Sequence, residues 1–134
     1  MTPDEMKSRT KQFAVWVLKT IDQLPNTRAA RVVADQLGRS GASVGANYRA
    51  ACRGRSRREF IAKIGIVEEE SDESAYWLEL IMESAMLPAR QVKSLHQEAV
   101  EICRMMVATI RTARANEVRS SANPQSAIRN PRSR

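Results

Sequence analysis

The sequence predicts an all-α protein, an antiparallel up-down-up-down bundle of four helices. Three observations predict it. Apolar residues recur at spacings of three and four along four long segments, as they do on a helix with one buried face. Alanine, arginine and glutamate are abundant while β-branched and aromatic runs are few, with aromatics only 4% of the chain. The connections between segments hold only a few residues, which forces consecutive helices to lie side by side in opposite directions. At 134 residues the chain is long enough to bury one real core.

The first helix opens at Thr2-Pro3-Asp4-Glu5, a capping threonine, a proline at the first helical position and two acids against the helix dipole. Met6, Phe13, Val17, Ile21 and Leu24 form its seam, and Pro25-Asn26 stops it. Thr27 caps the second helix, whose seam is Ala30, Val33, Leu37, Ala42 or Val44, Tyr48, and Ala51 or Cys52, with Gly54 as its end. The run Ser40-Gly41-Ala42-Ser43-Val44-Gly45-Ala46-Asn47 is unusual for a helix, because each interior glycine costs about 1 kcal/mol relative to alanine. Close approach of another backbone, from the same chain or another subunit, would offset that cost. The alternative is a loop that splits the helix. Ser56 and Glu59 form a capping box for the third helix, which carries Phe60, Ile64, Val67, Ser71, Ser74, Leu78, Ile81 and Ala85. Leu87-Pro88 is the next break. The fourth helix runs from Ala89 to Asn116 on Val92, Leu95, Ala99, Ile102, Met106, Val107 and Ile110. These segments are about 22 to 31 residues, or roughly 33 to 46 Å at 1.5 Å per residue. Residues 1–116 thus make the bundle. Residues 117–134, with Pro124 and Pro131 and little apolar content, read as a basic, disordered tail.

The net charge of +7 points to an anionic partner, but it is unevenly spread. From Arg28 to Lys63 bases far outnumber acids. From Val67 to Glu83 there are acids and no base. After Ile110 the bases return, so part of the excess falls to the tail. No apolar stretch is long enough to span a bilayer, and the charged start MTPDEMKSR has no signal-peptide pattern. Exposed aromatic and leucine-rich faces are too few for a peripheral membrane protein. Cys52 and Cys103 lack CxxC spacing and read as buried free thiols in a reducing cytoplasm.

Arg49, Arg53, Arg55, Arg57, Arg58 and Lys63 crowd the turn between helices two and three. Like charges this close repel unless water or an anion separates them. The turn is therefore a solvated bundle end, a rim that grips phosphate with guanidinium forks, or a subunit contact. Only Tyr48 and Phe60 lie nearby to stack on bases, so recognition would be of backbone or shape. The acidic stretch does not make a di-iron site, which needs Glu-x-x-His on two helices; the one histidine, His96, has Lys93 three residues before it. Hard-cation binding by Glu69, Glu70 and Glu73 is the weaker reading there. The stronger one is pairing: a hairpin turning near Gly54 sets Arg39 opposite Glu69 or Glu70, within reach of Glu73. His96 reads as a surface residue. Tyr76 and Trp77, adjacent and so on different faces, and Trp16 leave apolar surface on helices one and three, as an oligomer would. No Ser-His-Asp order, Gly-rich phosphate loop or H-E-x-x-H spacing occurs, so no catalytic, cofactor or metal role is expected.

The segments DQLGRSGASVGANYRAA, RGRSRREFIAKI and GIVEEESDESAYWLEL together resemble the 23S rRNA intervening-sequence family of four-helix-bundle proteins. The shared pattern is a basic-Ser-small-Ser-aliphatic-Gly-Ala-Asn run, a Ser-basic-x-Glu-Phe-Ile helix start and an acidic segment ending in Tyr-Trp-Leu. The resemblance covers about Arg9 to Asn116. It implies a ring, commonly a homopentamer. A related protein is the accessory protein of diversity-generating retroelements, a basic pentamer that binds nucleic acid and a reverse transcriptase; most members have no assigned activity. The expected function is thus a non-enzymatic, cytoplasmic homo-oligomer that binds RNA or DNA backbone, as an accessory to a reverse transcriptase or nucleoprotein. The alternative is a structural or adaptor oligomer with a protein partner.

Overall fold

A computed structural model describes residues 1–122, with side chains through residue 119. Four helices and no strand occur among the described residues: α1 (Pro3–Ile21), α2 (Arg28–Cys52), α3 (Arg57–Glu83) and α4 (Ala89–Ala122). They form a four-helix bundle in which α1 packs on α2, α2 on α3, α3 on α4 and α4 back on α1. Among the described residues no helix is long and apolar enough to cross a membrane.

The caps follow local chemistry. Thr2 Oγ1 accepts the Glu5 N–H at 3.1 Å while the Thr2 N–H donates to Glu5 Oε1 at 2.7 Å, a complete capping box with Pro3 just inside it. Thr27 Oγ1 accepts the Ala30 N–H and opens α2. Ser56 Oγ accepts the Glu59 N–H at 3.1 Å, but the return bond to the Glu59 carboxylate is absent, so only half of the expected box forms. Helix α1 stops at Ile21, one turn before Leu24, because Pro25 cannot donate to the ladder.

The glycine run does not break α2. No glycine among the described residues has positive φ, so backbone freedom does not explain Gly41 or Gly45. Close approach does. A Cβ on Gly41 would lie 2.9 Å from both Cγ atoms of Val17, and one on Gly45 would lie 3.2 Å from the Thr10 carbonyl oxygen. The neighbour is therefore α1 of the same chain. Of the two residues the seam could have used here, Val44 is buried and Ala42 is exposed.

At the end of α3, Ala85 belongs to the cap and not to the seam. It is exposed, with φ 57°, and its N–H donates to Met82 O while the Met86 N–H donates to Ile81 O at 3.0 Å. That is a Schellman motif with alanine where glycine is usual. Helix α4 continues six residues past Asn116, to Ala122, so residues 117–122, expected in the tail, are helical. The rest of the expected tail, 123–134, lies outside the described residues.

The core holds Phe13 and Val17 of α1, Leu37 and Val44 of α2, Ile64, Val67, Leu78 and Ile81 of α3, and Leu95, Ile102 and Met106 of α4. Phe60 is only half-buried at its edge. Two buried hydroxyls link α2 to α3 within this apolar surround, Ser40 Oγ and Ser74 Oγ, 2.9 Å apart. Ser74 also donates to Glu70 O, so no polar group of the pair is stranded.

Candidate nucleic-acid interface

The arginine turn is short because α2 and α3 are joined by only Arg53, Gly54, Arg55 and Ser56. The Gly54 N–H donates to Ala51 O at 3.0 Å, and a Cβ there would sit 3.1 Å from that same oxygen. The tightness of the turn holds its charges together. Arg49, Arg53, Arg55 and Arg58 are exposed, and Arg57 and Lys63 are half-buried. Among the described residues none of these six cations has a carboxylate within 4.0 Å. Arg57 goes further: its Nη1 is buried without a hydrogen-bond partner among the described residues.

The placement also runs against helix electrostatics. Arg57 and Arg58 occupy the first turn of α3, where the helix dipole is positive and a cation is disfavoured by about 0.3–1 kcal/mol. Arg49, in the last turn of α2, is where a cation belongs. The structure does not bring all six together. Lys63 stands five residues after Arg58, about 140° further round the helix, and faces elsewhere.

Two arginines that the charge pattern alone left undistinguished from the tail join the patch. Arg111 and Arg114, on α4, line a groove of about 430 Å³ with Ile61, Ala62, Gly65, Glu68 and Glu69 of the first half of α3. Both are exposed and have no carboxylate within 4.0 Å among the described residues. Arg58 lies one turn before Ala62 on the same face of α3. The groove thus carries two guanidiniums and two carboxylates, and the basic surface reaches α4 at Arg111 and Arg114 without filling the groove. The signal for this was present in the sequence: short connections bring the last turns of the fourth segment beside the first turns of the third.

The acidic middle of α3 is occupied by pairing. Arg39 Nη1 donates to Glu70 Oε2 at 3.2 Å, and its Nη2 bonds to Glu73 Oε2. Trp77 Nε1–H donates to the same Glu73 oxygen at 3.1 Å. Burial opposes ionisation of Glu73, but the bonds from Trp77 and Arg39 outweigh it and hold the carboxyl below the usual carboxylate range. Glu69 takes no part in this pair and faces the groove. Because Arg39 is half exposed, the pair fixes register more than it stabilises.

A second ion cluster was not expected. Arg9 of α1 donates to both carboxylate oxygens of Glu98, at 2.7 and 2.8 Å, and to Glu101 at 3.1 Å, closing α1 against α4. These bonds raise its pKa further above the arginine range. His96 is half-buried and bonds to Glu79 at 2.8 Å. The two cysteines are free and half-buried. No cluster of three His, Cys, Asp or Glu side chains suited to a metal ion occurs among the described residues.

Residues 5–108 match the model of the family described as 23S rRNA-intervening sequence protein. Among solved structures, the chain is similar to a Bacteroides thetaiotaomicron protein of the S23 ribosomal protein family, whose function is described as unknown. Identity is 34%, over 78% of this chain and 96% of that one, with a TM-score of 0.73. No curated protein matches. With the family model spanning most of the bundle and a solved relative superposing on nearly its whole length, the chain belongs to the 23S rRNA-intervening sequence protein family.

Proposed function

We propose that the protein is a non-enzymatic oligomer that binds the phosphate backbone of RNA or DNA through the arginine-rich end of its bundle. The observation that carries this reading is the crowding there of five arginines without carboxylate partners among the described residues, Arg49, Arg53, Arg55, Arg57 and Arg58. Other arginines, Arg28, Arg90 and Arg104 among them, also lack a carboxylate within 4.0 Å among the described residues, so what sets this end apart is the crowding of five such arginines around one four-residue turn. Guanidinium forks fit phosphate oxygens in pairs, and the scarcity of aromatic side chains favours contact without base reading.

In this reading the helices run up-down-up-down and the chains close into a ring, a homopentamer by likeness to the family. A ring repeats the basic end around an axis, so several weak contacts act on one strand. Its biological setting would be a nucleoprotein, as an accessory to an enzyme such as a reverse transcriptase, in the cytoplasm. The test is a gel shift with RNA and with DNA on nuclease-treated protein. Replacing Arg55, Arg57 and Arg58 together with glutamate is expected to abolish the shift. Binding that survives this replacement excludes the assignment.

A second reading, an adaptor oligomer with a protein partner, draws on exposed Val15, Trp16, Leu18 and Tyr76. It predicts a co-purifying protein whose retention is insensitive to nuclease.

A further inference from the structure

Two faces of the bundle carry apolar side chains that nothing among the described residues covers. On α1, Val15, Trp16 and Leu18 are 37%, 38% and 50% exposed. Gln12, Val15, Trp16 and Lys19 enclose a shallow hollow of about 280 Å³ there. Lys11 and Lys19 stand one turn either side of Val15, and neither has a carboxylate within 4.0 Å among the described residues.

On α3, Tyr76 is 53% exposed and stands edge-on to Trp77, ring centroids 5.2 Å apart. Asp72 lies one turn before it, and Glu79 and Glu83 lie one and two turns after. Asp72 and Glu83 have no cation within 4.0 Å among the described residues; Glu79 holds only His96. The two faces are thus complementary. One reads cation, apolar hollow, cation; the other reads anion, aromatic ring, anion. Lys11 to Lys19 spans about 12 Å and Asp72 to Glu79 about 10.5 Å along their helices, so the charges can meet in register.

We propose that a second copy of this chain docks its α3 face onto this α1 face, Tyr76 entering the hollow beside Trp16. Docking like faces would instead oppose Lys11 and Lys19 with themselves, or Asp72, Glu79 and Glu83 with themselves. Helices α1 and α3 are not neighbours in the bundle, each packing on α2 and α4, so the two faces point away from each other. A docked pair keeps one free face at each end. The contact is heterologous, repeats from copy to copy, and ends only when a ring closes. The inference rests on the self-association part of the proposed function and is independent of nucleic-acid binding.

Sedimentation of the nuclease-treated full chain tests it with two variants, Val15→Asp and Tyr76→Asp. The unaltered protein is expected to sediment as a closed oligomer. Each variant alone is expected as a 15.0 kDa monomer. Mixed in equal amounts they should form a dimer of twice that mass, since one intact α1 face and one intact α3 face remain. Should Val15→Asp unfold by circular dichroism, Lys11→Glu with Lys19→Glu reports the same face from exposed positions. Variants that assemble like the unaltered protein overturn the inference while leaving self-association intact. A mixture that stays monomeric overturns it in favour of a symmetric contact. An unaltered protein that is itself monomeric overturns both.

Discussion

Replacing Gly41 with alanine should destabilise the protein, and replacing Gly65 with alanine should stabilise it, although both glycines lie inside helices. Each substitution gains about 1 kcal/mol of helix propensity. At Gly65 a new Cβ meets nothing within 4 Å among the described residues, so the gain stands. At Gly41 it would lie 2.9 Å from Val17 Cγ1, 2.9 Å from Cγ2 and 3.1 Å from Cβ. No rotamer of Val17 relieves contact with all three carbons, and Val17 is fully buried, so α1 and α2 must move apart. Overpacking of this kind costs about 1–3 kcal/mol. The propensity gain cancels between the two variants, leaving that steric cost as the difference between them. At roughly 3–5 °C per kcal/mol for a domain of this size, G65A should melt at least about 3 °C above G41A. Circular dichroism melts of both variants and the unaltered protein decide it. A G41A protein as stable as G65A would refute close α1–α2 packing as the reason for the glycines.

Arg9→Met keeps the aliphatic stem but removes the bonds to Glu98 and Glu101; for this partly exposed cluster the expected loss is about 1–2 kcal/mol, read as a lower urea midpoint with unchanged slope. Ala85→Gly relieves a left-handed alanine at the end of α3, and should raise stability by about 1 kcal/mol in the same assay. Glu73 has a depressed pKa in the folded state, so its contribution is complete above the usual carboxylate range and is lost as pH falls through the lowered value. The melting difference between the unaltered protein and Glu73→Gln should therefore be largest near neutrality and shrink in acid. A difference that grows in acid contradicts the Trp77 and Arg39 bonds as its source.

The fold was legible where the chain signals locally. Thr2, Thr27 and Ser56 mark three helix starts, and the spacing of Phe13, Val17, Leu37, Ile64 and Ile102 marks buried faces. Arg39 could be set against Glu70 because a short turn fixes the register of α2 on α3. Ends without a local stop were not legible: α4 passes Asn116 because no proline or glycine interrupts it before Ala122. The spacing of Ala85 fits the seam, and only the cap geometry removes it. Arg9 with Glu98 and Glu101 was hidden for another reason. It joins the first helix to the last, across a distance in sequence that no turn fixes. Arg111 and Arg114 looked like the start of a tail until α4 was laid beside α3.

The salt dependence of binding to a short RNA or DNA duplex tests the basic end most directly. Contact by the five turn arginines together with Arg111 and Arg114 predicts that log K falls against log salt with a slope of about −6, and that Arg111→Ala with Arg114→Ala reduces the slope by about 2. A slope near zero, or one that the turn and groove arginines leave unchanged, would contradict phosphate recognition at this end of the bundle.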